Sequence, residues 1–525
     1  MAPNNLKELV QVELLPLSDV LQVEPGALLQ DFLFELGVEF PCGGRGRCKG
    51  CKVKVVAGSL PVTEDDSQRL SPSELEAGWR LACRARAEKN LRLELAQWEA
   101  PILTDESSFP FTPREGLGVA IDLGTTTLAA QLLDLRTGQV LAVRTALNSQ
   151  ARHGSDIMSR VEFAVLNQGQ PVLEQLIRQQ IARLIGELLS SVRGNGCGVP
   201  TRMGSGVSSS AEKQLLLESI ILVGNTVMHH LFSGLTVEPL SQYPFEPQFP
   251  GLQRFSAGDL GWDIPGKPSV FFLPCLGGFV GSDILAGVLA TKLHEGESLS
   301  LLMDLGTNGE IVLGNRERLL CAGTAAGPAF EGARISMGMR AATGAISEVR
   351  AVNGQLCCHV LGDAPARGIC GSGLVDAVAE SLDLGWVLPN GRLAQRQVLQ
   401  LAPPVSLNQK DIRELQLAKG AIAAGVRILL EQWGASGEDV GQVFLAGAFG
   451  NYINQTNARR IGLLEFPADK IVSAGNTALL GAKLALFSLP GIDFSYPEIL
   501  GRTRHVSLNE VPGFQEIYAE EMAFP

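Results

Sequence analysis

Alternating apolar and polar positions mark the first hundred residues. Val10–Leu15 and Val20–Val23 alternate on either side of a short polar break and predict a hairpin. Ala27–Gly37 reads as a helix, and Cys51–Val56 and Leu91–Leu95 read as two further strands. This order predicts a small strand-rich domain over residues 1–98. Residues 99–116 read as a linker, because Pro101–Glu115 is rich in proline, serine and acid. A flexible tether of that length spans about 20 Å r.m.s.. From residue 117 to 525 apolar strands and amphipathic helices alternate, the α/β pattern. Inside it Val119–Thr127, with Asp122-Leu123-Gly124-Thr125, recurs in form as Leu301–Gly309, with Asp304-Leu305-Gly306-Thr307. That recurrence predicts two similar halves. The glycine- and serine-rich stretch Gly194–Ser210 reads as a mobile surface loop.

Composition narrows the function. A net charge of −12 over 525 residues, with no long basic stripe, excludes a nucleic-acid partner. The first twenty residues lack a charged start followed by an apolar core, and no run approaches the length of a membrane span. A cytoplasmic protein with no membrane partner is expected. The 59 glycines are about one and a half times ordinary usage and imply many tight turns or phosphate loops.

Four of the ten cysteines carry the first chemistry. Cys42, Cys48, Cys51 and Cys83 are spaced C-x5-C-x2-C-x31-C, the first three on a glycine-rich loop. Such a loop wraps a 2Fe-2S cluster with thiolates while its backbone N–H groups face the inorganic sulfides, and the distant cysteine closes the cage. A zinc ribbon would want two CxxC pairs where this chain has one, and a disulfide pair would not persist in a reducing compartment. The spacing resembles that of adrenodoxin- and plant-type ferredoxins, which implies a β-grasp fold, although the plant pattern has four residues between its first two cysteines. Arg45, Arg47, Lys49 and Lys52 form a basic collar that either steers an acidic partner or balances cluster charge. The other six cysteines lack metal spacing and read as structural thiols.

Each Asp-Leu-Gly-Thr follows an apolar strand and enters a turn. Glycine there admits a phosphate to the backbone N–H groups, the hydroxyls add donors, and the aspartate can hold magnesium through water. Two copies in matched contexts resemble the paired phosphate motifs of the actin, sugar kinase and Hsp70 ATPase superfamily. Gly277–Asp283 falls where its first connecting helix begins, Val443–Asn451 looks like its adenosine motif, and Ser473–Ala482 looks like its second connecting helix. The resemblance implies a two-lobed, duplicated ATPase domain over 117–525. It implies that Asp122 and Asp304 act in catalysis. ATP would be held by Gly124, Thr125, Thr126 and Thr127, by Gly306, Thr307, Asn308 and Gly309, and by Gly447, Ala448 and Gly450. In the superfamily a lysine on the corresponding helix can touch adenine, which makes Lys419 a further candidate, although a solvated helix face is an equal reading. The alternative for the glycines is close strand and helix packing.

The combination, with Gly224–His230, Gly323–Gly332 and Gly368–Leu374, is similar to the reductive activators of corrinoid-dependent methyltransferases. The resemblance covers nearly the whole chain. It implies an ATP-dependent enzyme that passes one electron from a 2Fe-2S cluster to an inactive Co(II) corrinoid and restores Co(I), with ATP and Mg2+ as further cofactors. The implied partners are a corrinoid protein or corrinoid-dependent methyltransferase and an upstream low-potential electron donor. Longer members carry a middle segment where this chain has little more than a linker, which leaves a homodimer open. The rival readings are a metabolite kinase with a redox-sensing ferredoxin domain and a plain electron-transfer ferredoxin with a structural partner domain. His229 and His230 read as packing or hydrogen-bonding groups rather than metal ligands.

Overall fold

The computed structural model describes residues 9–15, 19–33, 38, 46, 51–95, 109, 111–154, 156–194, 216–306, 308–332, 334–488 and 493–525. Cys42, Cys48, Arg45, Arg47, Lys49, Cys197 and Thr307, most of the expected linker and the expected loop beyond Gly194 lie outside them.

The amino-terminal residues form a five-stranded sheet. Its strands are β1 (Val10–Leu15), β2 (Asp19–Val23), β3 (Lys52–Ala57), β4 (Trp79–Leu81) and β5 (Leu91–Leu95), in the order β2-β1-β5-β3-β4. The β1/β2 hairpin is antiparallel, and β5 inserts parallel to β1. Val12, Leu14, Leu93 and Leu95 are fully buried on one face, as their alternation requires. The expected helix differs. Ala27–Leu28 is a short strand paired with Arg86–Ala87, and helix begins only at Leu29. Here a long-range ladder overrides the local helical spacing.

Two larger sheets share one five-strand core topology and differ in where a sixth strand is added. The first contains β6 (Leu117–Leu123), β7 (Thr127–Asp134), β8 (Val140–Leu147), β9 (Leu217–Gly224), β10 (Gln253–Ser256) and β11 (Ser269–Phe272), in the order β8-β7-β6-β9-β11-β10. The second lobe adds β12 (Ser300–Leu305), β13 (Gly309–Gly314) and β14 (Leu319–Thr324), then a small sheet of β15 (Ala345–Val352), β16 (Gln355–Val360) and β17 (Gly368–Ile369). It ends with β18 (Gln442–Ala446), β19 (Ile471–Gly475) and β20 (Thr503–His505), and its main sheet has the order β19-β18-β12-β13-β14-β20. In both lobes a three-strand antiparallel meander is followed by two strands parallel to its first member. The duplication read from the repeated motif is therefore a duplication of fold.

Helices α1 (Ile157–Leu166), α2 (Gln170–Gly194) and α3 (Thr226–Ser233) cover the first lobe, and α5 (Gly371–Asp383) and α6 (Gln409–Trp433) cover the second. Between the lobes lie α4 (Ser282–Thr291) and α8 (Thr477–Leu486), and α7 (Gly447–Tyr452) follows β18. Helices α4 and α8 cross in direct contact because Gly481 has no side chain: a Cβ there would collide with the backbone of Ala286. Their apolar residues, with Ile221, Leu302 and Val312 from both sheets, form one buried cluster. Among the described residues no helix is long and apolar enough to cross a membrane.

Candidate nucleotide cleft and cluster site

Both phosphate motifs are hairpin turns that face one cleft of about 250 Å³ between the lobes. Asp122 and Gly124–Thr127 line it from the β6/β7 turn, and Asp304, Gly306 and Asn308 from the β12/β13 turn. Gly124 is required by the turn itself, since a Cβ there would lie 2.5 Å from the carbonyl of Thr127. Gly447 closes the cleft with φ +80°, and its missing Cβ leaves room for Oδ1 of Asp304, which would otherwise sit 2.5 Å away. Phe330 and Phe449 stack at 4.3 Å along one wall, and Tyr452 stands at the rim. That is an apolar surface suited to a purine, set opposite turns suited to phosphate.

Burial and mutual repulsion set the charge of the cleft. Burial, partly relieved by the Asn476 amide 3.1 Å from Oδ2, raises Asp122 to about 6. Burial and then the charge of Asp122 raise Asp304 to about 7. Asp283, at the start of α4, is pushed to about 8 by burial and then by Asp304 and Asp122. Glu310 is held well above the usual range by burial, Asp283 and Asp304, against hydrogen bonds from Asn308 and Asn225. Antiparallel register puts Glu310 directly opposite Asp304, whereas the equivalent partner of Asp122 is Ala129. Five carboxylates and one cation, Arg340, line the cleft among the described residues, so a cation bound there would relieve the repulsion. Among the described residues no three acids, histidines or cysteines converge closely enough to grip a bare ion. Buried acids converging on one cleft are a donor set that a hydrated divalent cation would fit.

The predicted residues divide accordingly. Asp122, Gly124, Thr125, Thr126, Thr127, Asp304, Gly306, Asn308 and Gly447 line one cleft. Gly309 and Gly450 are not among its lining residues. A Cβ on Gly309 would meet Thr324 and Ile422, so that glycine serves packing of β13 on β14 and α6. Thr307 and the Ala448 side chain lie outside the described residues. Lys419 is also absent from the lining: it is 2% exposed inside α6, with Nζ 3.5 Å from the carbonyl of Gly462. Its burial rules out the solvated face. The sequence reading missed Glu310 and Arg340, and had Asn225, Asp283, Phe330, Cys370 and Asn476 only inside motifs rather than as cleft residues. Buried Arg160 was also missed; it donates to the carbonyl of Thr125 and holds the first hairpin from below. His229 and His230 are buried beside backbone carbonyls of Gly251 and Thr226, and burial drives His229 down to about 3, so they serve packing.

Two of the four cluster cysteines are described. Cys51 ends just before β3 and Cys83 lies in the turn Ala82–Arg84 after β4; pairing of β3 with β4 joins them through a 3.0 Å hydrogen bond from Ala82 N to Cys51 O. Both are almost wholly buried, at 1% and 3% exposure. Buried Asp66 fixes this segment by accepting from Leu81 N at 2.7 Å and from the Thr63 cap. Two cysteines 32 positions apart in sequence are thus brought onto adjacent backbone segments, which fits a shared place in a cluster cage. Of the collar, Lys52 is engaged by Glu74 at 2.9 Å and lies over Trp79, which favours a local structural role for that member.

Comparison with known proteins decides the family. Models of three domains match in order: a 2Fe-2S iron-sulfur cluster binding domain over 15–88, the RACo middle region over 117–199 and 202–296, and the C-terminal ASKHA domain of RACo over 298–525. The corrinoid activation enzyme RamQ of Eubacterium limosum is 34% identical over 78% of this chain and 70% of its own length. The chain belongs to the family of corrinoid reductive activators. A reductase of the Co(II) methylated amine-specific corrinoid protein from Methanosarcina barkeri is 29% identical over 70% of this chain and 69% of its own. A solved reductive activator for corrinoid, iron-sulfur protein superposes with a TM-score of 0.65 at 25% identity, covering 98% of both chains. In this activator family the middle-region match falls on the first lobe. That corrects the expectation of a bare linker in its place: the segment is the lobe that carries the first phosphate hairpin.

Proposed function

We propose that this activator uses ATP with Mg2+ to transfer one electron to the Co(II) corrinoid of a methyltransferase or corrinoid protein and so restores Co(I). Residues 117–525 act in this reading as one two-lobed ATPase domain, with Asp122 and Asp304 facing the metal-bound phosphates and Gly124–Thr127, Gly306–Asn308 and Gly447 holding the nucleotide. The single observation that carries it is the convergence of both Asp-Leu-Gly-Thr hairpins on one cleft, in a chain that also sets Cys51 beside Cys83.

When bound, the cluster supplies the electron at low potential, about −400 mV for plant-type centres. Each further 100 mV uphill costs about 2.3 kcal/mol. Nucleotide binding can offset that only by favouring a complex in which the acceptor is easier to reduce. The chain's residues contribute by gripping ATP from both lobes at once, so that nucleotide occupancy biases lobe separation. An upstream low-potential donor and a cytoplasmic setting complete the proposal. The test is ATP turnover by the anaerobic holoprotein. Stimulation by a Co(II) corrinoid protein and none by sugars or carboxylates is expected; the reverse pattern would make the protein a metabolite kinase.

A further inference from the structure

The cluster-bearing domain touches both lobes, and each contact lies one short step from the nucleotide cleft. On the second lobe Arg367, just before β17, donates from Nη2 to Glu94 at 2.7 Å and from Nη1 to the carbonyl of Leu95 at 3.2 Å. Glu94 and Leu95 end β5, the strand that runs through the middle of the ferredoxin sheet. The Arg367 side chain is fixed by its surroundings. Its stem lies against Gly344, whose φ of +90° and missing Cβ make room for it, and its own N–H donates to Gly344 O at 2.8 Å. Strand β17 then runs straight into Cys370-Gly371-Ser372, which lines the cleft.

On the first lobe the route is equally short. Leu147 and Ala151 pack on the ferredoxin core, and Arg152 Nη2 donates to the carbonyl of Asp31 at 3.3 Å. Between them sits Asn148, fully buried. Its amide donates to Gly124 O at 2.9 Å and its backbone N–H to Thr126 O at 2.8 Å. Those two carbonyls belong to the first phosphate hairpin.

We infer that the ferredoxin domain is a strap seated across both lobes, and that Arg367 and the Asn148–Arg152 turn are positioning residues that convert nucleotide-driven lobe movement into movement of the cluster. The inference rests on the reading of the cleft as a nucleotide site. Its physical basis is that a rigid domain held at two points can keep both contacts at only one separation of the lobes. A change at the phosphate hairpins must therefore shift the strap or break its weaker point. The exchange is reciprocal: whatever the nucleotide does to the seat, the seat does to nucleotide affinity. The Arg367–Glu94 pair is the point to test, because both side chains are about a quarter exposed and neither lines the cleft.

The experiment uses the full-length holoprotein with its cluster reduced, spin-labelled on exposed Cys357 of β16 in a Cys197→Ser, Cys358→Ser background, since Cys358 is also partly exposed. Pulsed EPR then reads the distance from cluster to label with and without Mg-AMPPNP, and calorimetry reads AMPPNP binding separately. A shift in the wild-type distance on AMPPNP is expected. In Arg367→Glu that shift should be lost and the distribution broadened, with iron content retained and AMPPNP still bound, at an affinity changed by the lost coupling. The double change Arg367→Glu and Glu94→Arg should restore it, which a merely structural role for either residue would not do. An unchanged wild-type distance while calorimetry shows AMPPNP bound overturns the strap. So does a normal shift in Arg367→Glu. Absence of AMPPNP binding would instead overturn the nucleotide reading.

Discussion

Replacing Gly447 by alanine tests the geometry of the cleft at one atom. The residue has φ +80°, and the new Cβ would lie 2.5 Å from Asp304 Oδ1 and 2.8 Å from the carbonyl of Leu305. The left-handed backbone costs an L-residue about 1–2 kcal/mol. Overpacking against a fixed carboxylate and carbonyl adds about 1–3 kcal/mol. Gly434 separates the two costs: it caps α6 with φ +82°, and a Cβ added there would meet nothing within 4 Å, so Gly434→Ala carries the backbone strain alone. Urea unfolding of both variants should therefore show Gly447→Ala about 1–3 kcal/mol less stable than Gly434→Ala. Because the clash displaces Asp304, ATP turnover should fall on the order of a hundredfold in Gly447→Ala and stay normal in Gly434→Ala. Equal stability losses with ATP turnover retained in both would refute the placement of Gly447 against Asp304.

Anaerobically reconstituted protein should hold two irons and two sulfides per chain, with Cys48→Ser or Cys83→Ser removing or destabilising the centre; stoichiometric zinc on metal analysis would contradict this. Asp122→Ala and Asp304→Ala should each abolish ATP turnover while the visible spectrum of the cluster is unchanged, because the acids and the cysteines lie in different domains. Stability of the nucleotide-free protein should fall as pH rises from about 6.5 to 8, above the window in which buried His229, held neutral down to about 3, pulls the other way. Asp122, Asp304 and Asp283 titrate near 6, 7 and 8 when folded but near 3.9 when unfolded, so over this window the native state binds more protons and loses its advantage as they leave. Thermal unfolding across that range should show the decline, and Mg-AMPPNP should flatten it; a rise in stability with pH would contradict the shared repulsion.

Features that repeat or combine locally were legible in the sequence. Both phosphate hairpins join an apolar strand to a glycine turn, and the cysteine loop concentrates three ligands in ten residues, so short-range pattern is enough for each. Glu310 was not legible for the opposite reason. An acid in the run Gly309–Gly314 reads as a solvent-facing strand position, and only the register that sets it opposite Asp304 turns it into the cleft. Arg340 lies in the irregular segment before β15 and leaves no local signal, whereas Phe330 and Cys370 sit inside motifs whose place in the cleft only the fold reveals. Lys419 shows the limit of periodicity. Its helix face looked partly solvated, yet the carboxy-terminal helix Phe514–Glu521 and the Gly462 turn cover α6. Which distant segment lands on a helix is not written in that helix.

The central claim is that nucleotide drives electron transfer from this chain to a corrinoid. The most direct measurement follows Co(I) absorbance after the reduced holoprotein is mixed anaerobically with a Co(II) corrinoid protein, with Mg-ATP, with Mg-AMPPNP and with no nucleotide. The account predicts Co(I) formation with ATP and little or none without it, lost in Asp304→Ala although the cluster remains reduced. Co(I) formed at the same rate without nucleotide would contradict it.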